Sequence, residues 1–332
     1  MNGILHRYTP RLVAFEHIPP NLSSNSNPSP ATATPKNFIL FIGGLGDGLL
    51  TISYPSTLAH HVPTDWTVVE VLTSSSYKGW GTGSLDRDVR ELGRCVGYFR
   101  DVQAGTENGG KGGKIVLMGH STGCQDIMAY LTSSSPSSSS SHPRPAIDGA
   151  ILQGAVSDRE GIKAAISPDT YSTIVTLARS YISQNKASDI LPQNPLSKLF
   201  GASMTPTRAL SLLSPDHDGD DDYFSSDLSE AQIAETFGRI PARTPAMFLL
   251  SGEDQFTPGF VDKAALLTRW TEMVRKGGGV VDSVNGGVVR GASHNLNGDG
   301  EDVVMDLVGR VVRFVNGLEL GEIGKVGGGG RL

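Results

Sequence analysis

The chain alternates short, continuous apolar runs with longer segments of helical periodicity. Six runs are rich in β-branched and aromatic residues and show no polar alternation: NFILFIGG, WTVVEVLT, KIVLMGH, IDGAILQGA, PAMFLLSG and GGVVRGAS. Runs of this kind are typical of strands buried on both faces of a sheet. Between them lie helical patterns such as residues 84–102, for which Ser84 is the predicted N-cap. This alternation predicts an α/β fold with a mostly parallel central sheet and helices on both faces.

The alternation stops between about residues 157 and 243, where helical segments follow one another without a convincing strand. We predict that residues 157–243 form an inserted helical cap and that residues 1–156 and 244–320 form the core. A second small domain is the alternative, although its apolar stripes are few. Other stretches are rich in Ser, Gly or Pro and are predicted to be surface loops (21–37, 105–113, 133–145) or a flexible tail (321–332).

Charge and cysteine content narrow the classes of function. The 332 residues carry a formal net charge of −6 without a cluster of Lys and Arg, which argues against a nucleic-acid partner. Cys95 and Cys124 fall within predicted amphipathic helices and are expected to be free thiols in a reducing compartment. Neither a signal-peptide pattern nor an apolar run of membrane-spanning length is found, so we expect a cytoplasmic protein that does not bind membranes.

A serine lies between two glycines where the third apolar run ends and a helical segment begins. The sequence Gly119-His120-Ser121-Thr122-Gly123 fits the G-x-S-x-G nucleophile elbow, in which a sharp strand-to-helix turn exposes the serine hydroxyl. Because the chain has 41 glycines, this pattern also arises by chance, and an ordinary turn is the alternative. The motif alone does not assign Ser121 as a nucleophile.

A serine nucleophile needs a base to take its proton and an acid to orient the base. In α/β-hydrolases these residues arrive in the chain order Ser, acid, His, each after a different strand. Asp254 follows the fifth apolar run, and His294 follows the sixth and is the only one of the eight histidines beyond that acid. Glu253 is the alternative acid, but Asp254 stands four residues before Pro258, a spacing that favours it.

An oxyanion hole requires backbone N–H groups that point at the developing negative charge. Thr122, directly after the serine, and Leu45, in the glycine-rich stretch FIGGLGDG, are the predicted donors. A phosphate-binding loop is the alternative, but this stretch lacks both the G-x-G-x-x-G spacing and the Walker lysine. We therefore predict no nucleotide and no other cofactor.

Several residues near these positions are candidates for contact with a substrate: Gly44, Tyr77, Trp80 and His120. For the two aromatic residues the alternative is that they pack their loop on the cap. The acidic stretch DHDGDDD at 216–222 does not fit a calcium loop, because its glycine is misplaced and no glutamate closes it. We interpret it as a solvated cap loop whose charges attract a cationic substrate, and we predict no metal site.

Longer motifs point to one family. The stretches GGLGDGLLTISYPSTLA, SSSYKGWGTGSLDRDVRELG, MGHSTGCQD, AVSDRE and SGEDQFTP resemble a fungal and plant family of α/β-hydrolases that includes siderophore esterases acting on fusarinine C. The resemblance covers about residues 37–315. It implies a nucleophile, acid and base at Ser121, Asp254 and His294, an oxyanion hole at Leu45 and Thr122, and a cytosolic role in releasing iron from a hydroxamate siderophore.

These observations predict a serine esterase of the α/β-hydrolase fold. A general carboxylesterase, lipase or acyltransferase uses the same three residues, so these activities stay open, although a lipase calls for a more apolar cap. A hydrolase-like binding protein with an idle site is a further alternative. The expected partner is a small-molecule ester, a ferri-siderophore in the leading interpretation.

Overall fold

The computed structural model of the protein describes residues 2–18, 37–105, 113–133, 144–192, 197 and 201–324. Most of the predicted low-complexity loops, and the predicted tail beyond residue 324, lie outside these residues. Within them, none of the helices combines the length and the apolar character needed to cross a membrane. Cys95 and Cys124 are buried free thiols, as predicted.

An eight-stranded sheet forms the centre of the described structure. Its strands are β1 (Asn2–Arg7), β2 (Val13–Ile18), β3 (Asn37–Ile42), β4 (Trp66–Val71), β5 (Ile115–His120), β6 (Gly149–Gln153), β7 (Ala246–Ser251) and β8 (Gly287–Val289), in the spatial order β1-β2-β4-β3-β5-β6-β7-β8. The pairs of β1 with β2 and of β2 with β4 are antiparallel, and the other pairs are parallel. The six predicted strands are confirmed, whereas the largely exposed edge strand β1 and its partner β2 carry no continuous apolar run and escaped prediction.

The parallel strands bring their carboxyl ends to one edge of the sheet. β5 lies between β3 and β6, with Ile42 of β3 in register with Gly119 and Gln153 of β6 in register with His120. Side chains that follow β3, β5, β6, β7 and β8 therefore meet at this edge, which is where ligands of parallel sheets bind.

Alternate residues of each strand face two separate apolar layers. In β3, Phe38 and Leu40 face the layer beneath the helices at residues 85–104, 123–132 and 263–276, whereas Ile39 and Phe41 face the layer beneath those at 54–59 and 301–320. Both layers are fully buried, so the central strands are apolar without alternation. This explains the six continuous runs in the sequence.

Helices form in the segments in which helical periodicity was predicted, and further helices form elsewhere in the chain. They are α1 (Tyr54–Ala59), α2 (Leu85–Ala104), α3 (Gly123–Thr132), α4 (Asp158–Ala165), α5 (Pro168–Ser183), α6 (Pro206–Leu213), α7 (Glu230–Thr236), α8 (Lys263–Lys276) and α9 (Glu301–Leu320). Ser84 caps α2 as predicted, its side chain accepting a hydrogen bond of 3.3 Å from the backbone N–H of Arg87.

The segment at 157–243 contributes α4 to α7 and, within its described residues, no strand. Residues of α4, α5 and α6 form a third apolar cluster, which Trp80 joins from the sheet side. Beyond residue 223 the segment packs instead into the layer of α8, where the ring of Phe237 stacks on that of Trp270 at 5.2 Å. The division into core and cap at residues 156 and 243 stays a prediction.

The acidic stretch at 216–222 differs from its predicted role as a solvated loop. Asp221 is 3% exposed and forms an ion pair with the buried Arg208, at 2.5 Å between Oδ2 and Nη1. The carboxylate of Asp222 is also buried and lies 2.8 Å from Nε of Arg159. Two of the aspartates thus hold the segment together rather than attract a substrate, because a buried Arg requires a buried counter-charge.

We therefore expect Asp221→Asn to lower the free energy of unfolding by about 1.5–3 kcal/mol, as is usual when a hydrogen bond to a buried charge is lost. Urea denaturation measures the change. Asp216→Asn is the matched control, because its ion pair with Arg179 is exposed and such pairs contribute about 0–1 kcal/mol. Equal effects of the two substitutions would contradict the structural role of Asp221.

Candidate active site

Ser121 occupies the turn between β5 and α3. Its backbone is in the left-handed region, with a φ of 53°, which is costly for a residue with a side chain and is typical of a nucleophile elbow. The strand ends at His120 and the helix begins at Gly123, so the turn has only two residues. The structure thus gives Ser121 the local geometry that the motif predicted.

The two glycines of the motif are sterically required by the turn. A Cβ on Gly119 would lie 2.4 Å from the carbonyl oxygen of Gly123, and one on Gly123 would lie 2.3 Å from that of Ile42. Both distances are far below van der Waals contact. Glycine here lets the end of β5, the start of α3 and the end of β3 approach one another closely.

The predicted acid and base are paired. Nδ1 of His294 lies 2.8 Å from Oδ2 of Asp254, and the other carboxylate oxygen accepts a hydrogen bond of 2.9 Å from the backbone of Phe256. Because an ionised carboxylate only accepts, Nδ1 of His294 is the donor and Nε2 is left as an acceptor. Glu253, the alternative acid, is exposed and points its carboxylate at no described partner.

Gln153, at the end of β6, connects the serine and the histidine. Its backbone oxygen accepts a hydrogen bond of 3.0 Å from the N–H of Ser121, and its side-chain Nε2 donates to the carbonyl of His294 at 3.2 Å. The side chain is fully buried. Its remaining hydrogen bonds join Tyr54 Oη (3.0 Å), His120 Nδ1 (2.6 Å) and Ser251 Oγ (3.1 Å).

His120, which we predicted to contact the substrate, is buried next to the predicted base. The residue is 1% exposed, and its ring packs against that of His294 with centroids 4.8 Å apart. Burial, with the neighbouring His294, lowers the pKa of His120 to about 3, so the ring is neutral. In the described structure His120 therefore packs against His294, and its contact with a substrate stays a prediction.

The loop after β3 passes directly over the serine. A Cβ on Gly44 would lie 2.6 Å from Cβ and 3.1 Å from Oγ of Ser121. The loop is held by Asp47, which accepts a hydrogen bond of 2.8 Å from the N–H of Gly44. Among the described residues, neither the N–H of Leu45 nor that of Thr122 is hydrogen-bonded, so both predicted oxyanion donors are available to a ligand.

The two predicted aromatic contacts differ in their surroundings. Trp80 is 2% exposed and packs within the apolar cluster of α4, α5 and α6, and its contact with a substrate stays a prediction. Tyr77 is 47% exposed, and its hydroxyl accepts a hydrogen bond of 3.1 Å from the N–H of Leu49. Tyr77 therefore borders the loop over Ser121 and remains accessible.

A cavity of about 20 Å³ lies beside the predicted oxyanion donors Leu45 and Thr122, with Asp88, Asp126 and Arg208 in its wall. Burial raises the pKa of Asp88 to about 6 and raises that of Asp126 well above its usual value. None of these three residues is among the site residues predicted from the sequence.

Gln153 is also absent from the site residues predicted from the sequence, although its place at the end of an apolar strand is unusual for a glutamine. A buried glutamine at the end of an otherwise apolar strand must find hydrogen-bond partners, and here the strand adjoins that of the nucleophile. Asp88 and Asp126 gave a weaker signal: each interrupts an amphipathic helix, but their convergence depends on the packing of α2 on α3.

The chain is similar to proteins of one family along most of its length. The family model of DUF1749, described as a protein of unknown function, matches residues 1–316. The fusarinine C esterase sidJ of Aspergillus fumigatus is 36% identical over 95% of this chain and 96% of that protein. The esterase AN6793 of Emericella nidulans is 34% identical over 96% and 93%, respectively.

Solved structures agree on the fold. The siderophore hydrolase EstB from Aspergillus fumigatus is 36% identical, covers 96% of this chain and 98% of its own, and superposes with a TM-score of 0.80. A carboxyl esterase from Bacillus coagulans, at 12% identity and a TM-score of 0.57, covers 96% and 98% and shows the fold alone. The α/β-hydrolase fold and the family resemblance predicted from the sequence are confirmed.

Gly123→Ala should lower the free energy of unfolding by about 1–3 kcal/mol, because the new methyl group collides with the backbone of Ile42 and cannot rotate away. Urea denaturation gives the value. Gly97→Ala, in the middle of α2 with no atom closer than 3.9 Å to the added methyl group, should instead stabilise the protein by about 0.5–1 kcal/mol. A neutral Gly123→Ala would argue against the tight elbow.

Asp88 should make stability depend on pH. Its raised pKa means that protonation favours the folded state; this contribution is complete below the ordinary carboxyl pKa of about 4 and is lost as the pH rises through about 6. Between pH 4 and pH 7, the free energy of unfolding of the wild type should therefore fall by about 1–3 kcal/mol more than that of Asp88→Asn. Urea denaturation at several pH values tests this, with exposed Asp86→Asn as the control; parallel profiles for wild type and Asp88→Asn would contradict it.

Proposed function

Because the chain belongs to the DUF1749 family, we propose that it is a serine esterase that hydrolyses the ester bonds of a hydroxamate siderophore of the fusarinine C type. One observation carries the proposal: a paired His294 and Asp254 share a sheet edge with a serine in a nucleophile elbow, in a chain 36% identical to a fusarinine C esterase. The alternative, a binding protein without catalytic activity, does not explain why His294 and Asp254 are paired next to this serine.

In the first step, Oγ of Ser121 attacks the carbonyl carbon of the ester. Nε2 of His294 takes the hydroxyl proton as the C–O bond forms, and Asp254 stabilises the resulting imidazolium through the 2.8 Å hydrogen bond to Nδ1. His294 then gives this proton to the alcohol oxygen as the ester bond breaks. The products are a free alcohol and an acyl group on Ser121.

The negative charge of the tetrahedral intermediate needs donors that are already in place. The free N–H groups of Leu45 and Thr122 supply them, and the missing side chain at Gly44 leaves room for the carbonyl above Ser121. In a serine protease, removal of one such donor lowers kcat by about 10²–10³-fold.

In the second step, water attacks the acyl-enzyme. His294 removes a proton from the water and returns it to Oγ of Ser121, which releases a carboxylic acid and restores the enzyme. No cofactor enters either step. Iron belongs to the substrate, and opening the ester linkages of the siderophore weakens its hold on the ion.

We place the exposed Tyr77 and the backbone at Gly44 in contact with the substrate. We also propose that the enzyme acts in the cytoplasm, since its two buried, unpaired cysteines suit a reducing compartment. A siderophore esterase in this compartment would act after uptake of the iron complex.

The test is hydrolysis of ferri-fusarinine C by the purified protein, followed by mass spectrometry, beside a short p-nitrophenyl ester. We expect wild type to open the substrate stepwise to linear trimer, dimer and monomer, and Ser121→Ala to lose about 10⁴-fold or more in kcat for both esters. Ser172→Ala, an exposed serine on α5, is the matched control and should retain full activity.

The outcomes separate the parts of the proposal. If the protein cleaves only the p-nitrophenyl ester, and only with Ser121 intact, the serine esterase mechanism stands and the proposal of a siderophore substrate is wrong. Failure of a fluorophosphonate probe to label Ser121, together with no hydrolysis of either ester, would favour the binding protein.

A further inference from the structure

Two strands on the antiparallel side of the sheet share a buried polar pair. His17 of β2 and Glu70 of β4 are 3% and 2% exposed, respectively, and Nε2 of His17 donates a hydrogen bond of 2.7 Å to Oε1 of Glu70. Apolar residues of similar volume usually stabilise a protein core as well as such a pair does, or better. Stability alone therefore does not explain why the apolar strand β4 contains a glutamate.

The second carboxylate oxygen of Glu70 points to the loop after β3, at residues 43–53. Oε2 accepts a hydrogen bond of 2.6 Å from the backbone N–H of Leu50. Leu50 is 49% exposed, and its φ of 64° lies in the left-handed region, which is costly for a residue with a side chain. Such a conformation persists only where its surroundings hold it, and Glu70 supplies a hydrogen bond that does so.

Thr51, the next residue, extends this network towards the nucleophile. Its hydroxyl lies 3.1 Å from Oδ1 of Asp47 and 3.0 Å from the carbonyl oxygen of Gly48, and it accepts a hydrogen bond of 3.1 Å from the N–H of Gly48. Oδ2 of Asp47 in turn accepts a hydrogen bond of 2.8 Å from the N–H of Gly44. Gly44 directly precedes Leu45, a proposed oxyanion donor.

The backbone of Thr51 also contacts the segment that carries the base. Its carbonyl accepts a hydrogen bond of 2.8 Å from Nδ2 of Asn297, and Oδ1 of that asparagine accepts one of 2.9 Å from the N–H of Ser53. Asn297 follows His294 closely in the chain. The loop after β3 is thus fixed to β4 on one side and to the segment of His294 on the other.

We infer that the pair of Glu70 and His17 positions the proposed oxyanion donor Leu45, through the hydrogen bonds of the loop after β3. The inference rests on the proposed function, because it assigns a role towards a donor of that reaction. Oxyanion donors are effective when they are aimed at the developing charge before the reaction begins. A network that starts from a buried carboxylate holds the loop in that arrangement before a substrate binds.

The pair acts on the reaction only through this loop, because both of its side chains are buried. A displacement of about 1 Å in a catalytic group can lower the rate by about 10²-fold. An oxyanion donor stabilises the transition state rather than the bound ester. Breaking the network should therefore lower kcat and kcat/KM together and leave KM unchanged.

The experiment measures kcat and KM for an ester that wild type cleaves, p-nitrophenyl acetate or ferri-fusarinine C. Glu70→Met removes the acceptor of the Leu50 N–H, and Thr51→Val removes the hydroxyl group. We expect each to lower kcat by about tenfold or more with an unchanged KM. Glu70→Gln and Thr51→Ser keep an oxygen in the same place and should restore most of the wild-type kcat.

Glu16→Met is the matched control. Glu16 of β2 is 8% exposed and accepts a hydrogen bond of 2.7 Å from Nε2 of His6, so it forms a similar pair on the neighbouring strands. Within the described residues, this pair has no hydrogen bond to the loop after β3. Loss of either pair should lower the melting temperature, whereas only the loss of Glu70 should lower kcat.

Equal losses of kcat in Glu16→Met and Glu70→Met would overturn the inference, and so would a wild-type kcat in Thr51→Val. Melting curves show whether each variant is folded. If Glu70→Met does not fold, Thr51→Val decides the inference by the same measurement, because Thr51 is exposed and its substitution leaves the core intact.

If wild type hydrolyses neither ester, the proposed function fails, and hydrogen exchange at residues 43–53 then decides the inference. In that case these amides should exchange about tenfold faster or more in Thr51→Val than in wild type, because local opening becomes easier when a hydrogen bond is lost. Thr51→Ser and Glu16→Met should exchange at the wild-type rate. Equal rates in Thr51→Val and wild type would overturn the inference.

Discussion

The hydrogen bonds of Gln153 are the interaction on which the geometry of the site depends. One buried side chain uses both lone pairs of its oxygen and both protons of its nitrogen, and its backbone oxygen fixes the N–H of Ser121. Because it lies on β6, between the strands that precede Ser121 and Asp254, it links the backbone of Ser121 to that of His294. A fully satisfied buried network of this kind also specifies a single arrangement of the residues around it.

The elbow and the buried acids show the same trade-off between stability and function. The left-handed backbone of Ser121 and the burial of the Asp88 and Asp126 carboxyls each cost free energy in the folded protein. The two apolar layers of the sheet supply enough stability to offset these costs. Backbone strain and buried acidic groups therefore lie close together, beside the proposed oxyanion donors.

Much of the fold and part of the site could be predicted from the sequence. The buried strands carry continuous apolar runs, and chain order then singles out Ser121, Asp254 and His294, so local patterns suffice for them. Gln153 and the acid cluster could not be found in this way, because their roles arise from contacts between elements distant in the chain. The same holds for the acidic loop, where composition suggests solvent exposure and only the burial of Arg208 reveals an ion pair.

Trp80 joins the loop after β4 to the segment at residues 157–243. The indole lies inside the apolar cluster of α4, α5 and α6. The backbone carbonyl of Trp80 accepts a hydrogen bond of 3.1 Å from Nε of Arg208, and the carbonyl of Gly81 accepts one of 2.9 Å from the N–H of Thr205. Moving the segment at residues 157–243 away would expose this indole and remove a hydrogen-bond acceptor from the buried Arg208. Loss of the hydrogen bond to the charged Arg208 and exposure of the indole would together cost about 3 kcal/mol, which keeps such an open form below about one molecule in a hundred. The loop after β4 and the segment at residues 157–243 therefore behave as one unit.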